Sequence, residues 1–528
     1  MLPRMNSSRL WFCALAVTLI AVRTQAAANV PDAGAALFTN RVVRQIQITI
    51  PPENVAALRT SPRQYVTASL RDGTNHFEKV AIHLKGSTGS FRGIDGKPAF
   101  TISFDRFDPS LRFHGLRKIH LNNSIEDPTY MNELIGGEMF RAAGIPASRV
   151  AHAVVEFNGK RLGLFVLKEG FTEDFLAQYF RHTTGNLYDT GAGRDVDEAL
   201  RKDLGKDPED RTDLDALAGA AHEPDIVRRW TRLQRALDVD RVLSFMAVEI
   251  LLGHRDGYCL ARNNFRVYHN VDSGRLLFFP HGMDVLFGNS RAMIAPRMNG
   301  LVAQSLMEIP EARRAYHARL GLIFTNHFRV TNMVARIDDT LLYLRPALPA
   351  EEAAALEREA AALKARIAAR AQDVAKQLLT PPLELLRFTG SAATLSGWQQ
   401  VDVPEGGSLL QTTLDGKRAL QIRAGPITSA SWRTKVLLPP GRYRFEGSIK
   451  SSAVAPLKFG KNHGAVLRTS TPGFVRSTAL LGNRPWSRAQ VAFETTAREQ
   501  EVELVCELRA SKGDAWFDIE SLRLVREP

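Results

Sequence analysis

The sequence predicts an α+β domain followed by an all-β sandwich, and three observations carry that division. Alternating apolar runs and helical stripes are interleaved as far as residue 379, and a long Ala-rich helix closes that part. Beyond residue 386 only short alternating runs separated by turn residues are left. At 528 residues the chain is long enough for two domains that each bury a core. The boundaries read as 1-26 for a signal peptide, 40-380 for the mixed domain and 386-528 for the sandwich, with Thr380-Pro381-Pro382 ending the helices.

At the N-terminus, Arg4 and Arg9 precede the apolar run Leu10 to Val22, and Thr24-Gln25-Ala26 offers a small-residue cleavage site, the pattern of a secretory signal. The run is too short for a bilayer span, and no later segment is long and apolar enough. The mature chain is therefore expected to have no transmembrane helix and to be secreted or held in the cell envelope, periplasmic or extracellular. Only Cys259 and Cys506 follow the signal, so no disulfide framework is needed. The net charge of +13 falls to about +10 without Arg4, Arg9 and Arg23, which suits an anionic surface or acidic substrates. The basic residues are spread out, with no basic helix and no aromatic-interleaved tract, which argues against nucleic acid. No Cys or His cluster has zinc spacing, and there is no Gly-x-Ser-x-Gly element.

Val80 to Lys85 and Ala99 to Phe104 alternate as strands. The loop Gly86 to Lys97 between them holds four glycines with Ser and Thr, so its N–H groups could approach phosphates while Lys85, Arg92 and Lys97 supply charge. A flexible exposed hairpin explains the same residues. Glu169, at the end of the apolar run Leu162 to Leu167, could pair with a phosphate-orienting lysine or simply close a strand at the surface.

Asp238 reads as the N-cap of a helix with apolar Val239, Val242, Leu243, Met246, Ile250 and Leu251 on it, and Gly253 as its stop. Asp256 follows three residues later. Asn264 to Tyr268 and Arg275 to Phe279 read as strands around the turn residues Asn270, Asp272, Ser273 and Gly274, a hairpin. A hairpin sets the start of its first strand beside the end of its second, so Asn264 and Asp284 should meet at its open end near Asp256. Two carboxylates and an amide are what Mg²⁺ chemistry on a phosphate ester requires, and the same residues could equally cap turns.

This stretch resembles the spore-coat CotH-type kinase family, secreted or coat-associated proteins with an atypical protein-kinase-like fold. The resemblance extends to Lys85-Gly86-Ser87, Lys97-Pro98, Leu121-Asn122-Asn123 with Asp127-Pro128, Asn158-Gly159 through Gly163-Leu164-Phe165 to Glu169, and Gly185-Asn186-Leu187-Tyr188, over about residues 45 to 380. It implies that Asp256 is the catalytic Asp and that Asn264 and Asp284 are the Mg²⁺ (or Mn²⁺) ligands, with Lys85, Lys97 and Glu169 around bound ATP; Arg92 is added to them from the charge of the glycine loop. The implied activity is transfer of the γ-phosphoryl group to Ser or Thr of an exported or surface protein. Two departures stand out: Gly282 occupies a position that is acidic in many members, and the letters His254-Arg255-Asp256 match ordinary kinases without their Asn spacing, since Ala261 holds that place. The His-Arg letters are read as coincidence.

Asp195 to Asp225 reads as a solvated, charge-rich insertion, and Glu351 to Leu379 as a helix packing on the domain through Leu356, Leu363, Ile367, Val374 and Leu378. In the last part, Asp415-Gly416, Pro439-Pro440-Gly441 and Lys512-Gly513-Asp514 mark turns between strands. The ending Ala515 to Leu524 is similar to the last strands of carbohydrate-binding jelly rolls. That likeness implies a polysaccharide or cell-envelope partner, with Trp432, Trp486 and Trp516 either stacking on sugars or buried in the core. A catalytically inactive, glycan-binding surface scaffold is the alternative to the kinase.

Overall fold

The structure is a computed structural model that describes residues 32, 34–87, 89–379, 383–471, 473–496 and 499–528. The expected signal at 1-26, Thr88 of the glycine loop and the Thr380-Pro381-Pro382 boundary lie outside the described residues. Two compact units divide the chain, Met1–Ala375 and Lys376–Pro528. Among the described residues no helix is long and apolar enough to cross a membrane.

The first unit opens with a closed seven-stranded barrel: β1 (Arg44–Thr49), β2 (Val66–Asp72), β3 (Asn75–Lys85), β4 (Ala99–Ser103), β5 (Lys118–Asn122), β6 (Val150–Phe157) and β7 (Lys160–Glu169), in the order β1-β2-β3-β4-β5-β7-β6. Parallel pairing of β1 with β6, Arg44 opposite Ala153, closes the ring. Strand alternation sorts the side chains. Ile82, Leu84, Phe100, Ile102, Ile119, Leu121, Phe165 and Leu167 fill the interior. Between them His83, Lys85, Thr101, Lys118, His120, Asn122 and Lys168 take the opposite parity and line an outer face. Each buried Leu, Ile or Phe contributes roughly 1.5–3 kcal/mol of transfer free energy, so the apolar parity points inward and the polar parity is left outside.

The helix Asn132–Ala142 interrupts the barrel between β5 and β6. Its start is set by buried Asp127, which accepts from the backbone N–H of Thr129 at 3.0 Å and of Asn132 at 2.9 Å. A second sheet has the order β11-β10-β8-β9, from β8 (Leu187–Asp189), β9 (Arg201–Leu204), β10 (Phe265–Asn270) and β11 (Arg275–Pro280). Phe265 pairs with Pro280 and Asn270 with Arg275, so the expected hairpin forms in the expected register. The helix Val239–Leu252 begins on Asp238, which accepts from the Arg241 N–H at 3.2 Å, and stops at Gly253 at φ 62°. The acidic stretch differs from expectation. It supplies β9 and the helix Thr212–Ala221, whose Leu214, Leu217, Ala220 and Ala221 are buried. Asp195 is itself buried and accepts from the N–H of Leu301 at 2.8 Å. Its charges sit on the edges of apolar elements, which a count of charged residues does not reveal.

In the second unit, two antiparallel sheets enclose one core. One has the four strands Gln399–Val401, Thr428–Leu438, Gln500–Ala510 and Gly464–Thr471, and the long strand Gly441–Ala455 lies at the centre of the other. Trp432 is core, 3% exposed, with its indole N–H donating to the Gln421 carbonyl at 3.1 Å. Trp486 and Trp516 are half-buried.

Candidate active site

The hairpin brings Asn264 and His281 together, the His281 N–H donating to the Asn264 carbonyl at 2.8 Å. Asp256, half-buried after the Gly253 stop, is held by two amides. Asn263 Nδ2 and Asn264 Nδ2 donate to its Oδ2 at 3.0 and 2.8 Å. His254 is fully buried and has a structural part the letters did not disclose. Its Nε2 lies 3.2 Å from the Gly282 carbonyl oxygen, which joins the Asp256 loop to the Asp284 loop. Behind both, Glu249 accepts from the N–H groups of Tyr258 at 2.9 Å and Cys259 at 2.8 Å. Cys259 is buried and its thiol is pushed well above the ordinary range by that burial, so it is not a reactive thiol.

Gly282 has φ +54°, and a Cβ there would lie 2.2 Å from Asn264 Oδ1. The acidic residue common at this position in the resembling family has no room beside Asn264 in this arrangement. Two residues on, the Asp284 carbonyl accepts from Asn132 Nδ2 at 2.8 Å, while Asn132 Oδ1 is buried without a partner.

The outer barrel face supplies the rest. Lys85 donates to Asn122 Oδ1, Asn122 Nδ2 lies 3.3 Å from Glu133 Oε1, and Lys168 Nζ donates to Glu133 Oε2 at 2.7 Å. The Lys168–Glu133 pair is closed from solvent, at 0% and 3% side-chain exposure. Burial, and next the Lys168 charge, lower Lys85 to about 8. Burial, then Glu133 and Glu126, raise Asp284 to about 6, against a smaller opposing pull from Lys85. His120 is held neutral by burial and by Lys85, Lys118, Lys168 and Arg266, and His281 by burial, Arg266, Lys168 and Lys85. Lys85 and Asp284 are thus desolvated in one place, and among the described residues neither has a salt-bridge partner.

Three expected residues stand elsewhere. Glu169 shares the parity of Leu167 and closes the barrel end, where Arg149 donates to it at 2.7 and 2.9 Å and Gln178 at 2.8 Å. The lysine–carboxylate pair on the site face is Lys168–Glu133, one residue earlier on the strand. Arg92 turns onto its own loop, donating to the carbonyls of Gly89 at 2.8 Å and Phe91 at 2.7 Å. Lys97 donates to the Tyr130 hydroxyl at 2.8 Å and lies 5.0 Å from the Phe165 ring centroid, and the charges acting on it are those of Glu352 and Arg161. The loop still reaches the site through Gly89, at φ +93°, where a Cβ would meet Glu126 Oε1 at 2.7 Å. Alternation along β7 was the available signal for Lys168; no sequence signal singled out Glu133.

Among the described residues no group of three or more His, Cys, Asp or Glu side chains could hold a metal ion. A divalent ion at Asp284 would therefore take one carboxylate, amide oxygens and oxygens of its own ligand. That is the habit of Mg²⁺ on phosphates, and the unpartnered Asn132 Oδ1 beside Asp284 suits such a donor set.

Residues 82–379 match the family described as CotH kinase protein. The match covers more than half of the chain, and the chain belongs to this family. Among relatives, inner spore coat protein H of Bacillus subtilis is 24% identical over 273 residues, 47% of this chain and 73% of that protein. Invasin CotH2 of Rhizopus delemar is 24% identical over 222 residues, 38% of this chain and only 37% of the invasin's length. Of solved structures, the Helicobacter pylori proinflammatory kinase CtkA is 10% identical, covering 60% of this chain and 96% of its own, with a TM-score of 0.21. TmCBM61 in complex with β-1,4-galactotriose is 16% identical, covering 25% and 91%, with a TM-score of 0.19. Scores this low carry no conclusion about fold or ligand.

Proposed function

We propose that this is an exported, atypical kinase-like protein that transfers the γ-phosphoryl group of ATP to a Ser or Thr hydroxyl of an exported or surface protein. One observation carries the reading: beside the closed Lys168–Glu133 pair, Lys85 and Asp284 are both desolvated and, among the described residues, neither has a salt-bridge partner. A metal–polyphosphate brings anionic oxygens for the lysines and a cation for Asp284 at once, so it answers both deficits.

In this reading Lys85, steadied by Asn122, and Lys168, steadied by Glu133, neutralise phosphate oxygens. Asn264 and Asp284 would hold Mg²⁺ or Mn²⁺, which supplies charge neutralisation between the terminal phosphates. Asp256, fixed by Asn263 and Asn264, orients the acceptor hydroxyl and takes its proton as the O–P bond forms and the bond from the γ-phosphorus to the leaving ADP oxygen breaks. The surface placement named in the relatives' descriptions, spore coat and invasin, supports an exported substrate.

Mg²⁺–ATP should raise the melting temperature of the full chain, since a ligand that binds only the native state stabilises it. Asp256→Asn should keep that shift while transfer falls by at least about a thousandfold. No shift and no transfer in wild type would sink the kinase reading. The second reading, an inactive scaffold whose jelly-roll-like second unit binds polysaccharide, is favoured by the absence of a carboxylate at Gly282 and by half-exposed Trp486 and Trp516. Retention on insoluble glycans together with no response to Mg²⁺–ATP would select it.

A further inference from the structure

The long helix Ala350–Leu378 buries Ala353, Leu356, Ala360, Leu363, Ile367 and Val374, and on the same face an arginine, Arg370, 0% exposed. An Ala-rich helix needs no buried guanidinium to pack, so its contacts explain its presence. Nε donates to the Leu251 carbonyl at 3.1 Å, and one terminal nitrogen to the Ile250 carbonyl at 2.7 Å. The other terminal nitrogen donates to the carbonyls of Ser290, at 3.1 Å, and Ala292. The nearest carboxylate, Asp373, stands 4.0 Å away.

Those carbonyls belong to two places. Ile250 and Leu251 lie in the last turn of the helix Val239–Leu252, where backbone oxygens have no partner within the helix and the dipole favours a cation. His254 N–H takes the Glu249 carbonyl at 2.9 Å, Phe287 N–H the Leu252 carbonyl at 2.8 Å and Gly253 N–H the Ile250 carbonyl at 3.1 Å, so Arg370 supplies a donor to Leu251 and a second one to Ile250. The Asp256 loop leaves from this turn. Ser290 and Ala292 continue the segment that carries Asp284. One planar group with five fixed donors therefore ties the Asp256 loop to the Asp284 segment from behind, while His254 ties them in front through Gly282.

We infer that Arg370 is a positioning residue that sets the separation of Asp256 and Asp284, an inference that rests on the kinase reading for its catalytic consequence but not for its structural one. A lysine has one point charge. It can serve the helix end or the 290–292 segment, not both.

The test is Arg370→Lys in the full chain, measured two ways. By hydrogen exchange, amides of residues 254–257 and 283–292 should exchange at least about tenfold faster than in wild type, with the barrel and the second unit unchanged. Unchanged exchange in both segments overturns the bracket. In turnover, kcat should fall about a hundredfold, the order expected of a 1 Å misplacement, while KM for Mg²⁺–ATP stays within about threefold. An unchanged kcat overturns the positioning role, since a merely structural residue would lower the melting temperature and leave turnover per folded molecule alone. Should wild type neither bind nucleotide nor transfer phosphate, the kinase reading fails and hydrogen exchange still decides the bracket. If Arg370→Lys does not fold, wild-type exchange decides: protection of both segments comparable to the barrel core is expected, and exchange within seconds overturns the inference.

Discussion

Two charge clusters, one in each unit, are built on opposite principles. Around Lys85 and Asp284, burial moves both groups toward neutrality, to about 8 and about 6. Around Glu446, on the strand Gly441–Ala455, burial pulls the same way but is outweighed. Hydrogen bonds from Arg488 at 2.7 Å, Arg523 at 2.7 Å and Arg444 at 3.0 Å hold the carboxyl at about 2. There the carboxyl is 3% exposed while Arg488 and Arg523 stand 64% and 51% exposed, so water takes up the charge that the carboxyl leaves unpaired. In the first, Lys85 and Asp284 are desolvated and neither forms a salt bridge among the described residues, an arrangement that costs stability unless an opposite charge is brought to it.

The sharpest way to break this contrast is Lys168→Met. It strands Glu133 in the interior, and losing one member of a buried pair costs about 3–5 kcal/mol, read as a lower denaturation midpoint. Lys168→Met with Glu133→Leu should return most of that stability yet leave Mg²⁺–ATP without its thermal shift. Recovery of the shift as well would mean that the pair is structural only. A smaller effect is expected at Gly282. Gly282→Asp must bear φ +54° and a close approach to Asn264, a strain of about 1–3 kcal/mol, so it should lower stability and metal-dependent binding. A gain in binding would show that the loop rearranges freely. Smallest is Glu446→Gln. A carboxyl held below its ordinary value of 4.5 contributes stability that is complete above that pH and lost as pH falls toward about 2. The melting-temperature gap between wild type and Glu446→Gln should therefore narrow steadily below about pH 4.5, and a gap independent of pH would refute the charged pairing.

Local signals in the sequence reached the elements they govern. Asp238 and Gly253 mark the true ends of their helix, and the turn around Gly274 sets Asn264 beside the end of β11. Geometry fixed between distant segments was not legible. Alternation along β7 separates Lys168 from Glu169, but which parity faces the site depends on the pairing of β5 with β7, His120 opposite Lys168, which no local pattern states. Glu133 becomes significant only when its helix docks on that face. Arg370 sits among alanines on a stripe where charge normally means solvent, and its partners are more than a hundred residues earlier and about eighty earlier. The parallel closure of β1 on β6 likewise joins segments with no turn between them.

That closure has a practical edge. The family match starts at Ile82, inside β3, so a fragment cut there would discard β1, β2 and most of β3. The remaining strands would keep every residue of the candidate site, but the remnant of β3, stripped of β2, and β6, stripped of β1, would become bare flanks with unpaired backbone N–H and C=O groups. Exposed strand edges of this kind recruit other chains. Expression as inclusion bodies from such a fragment would record a missing stave, and would say nothing against the chemistry of the site it still contains.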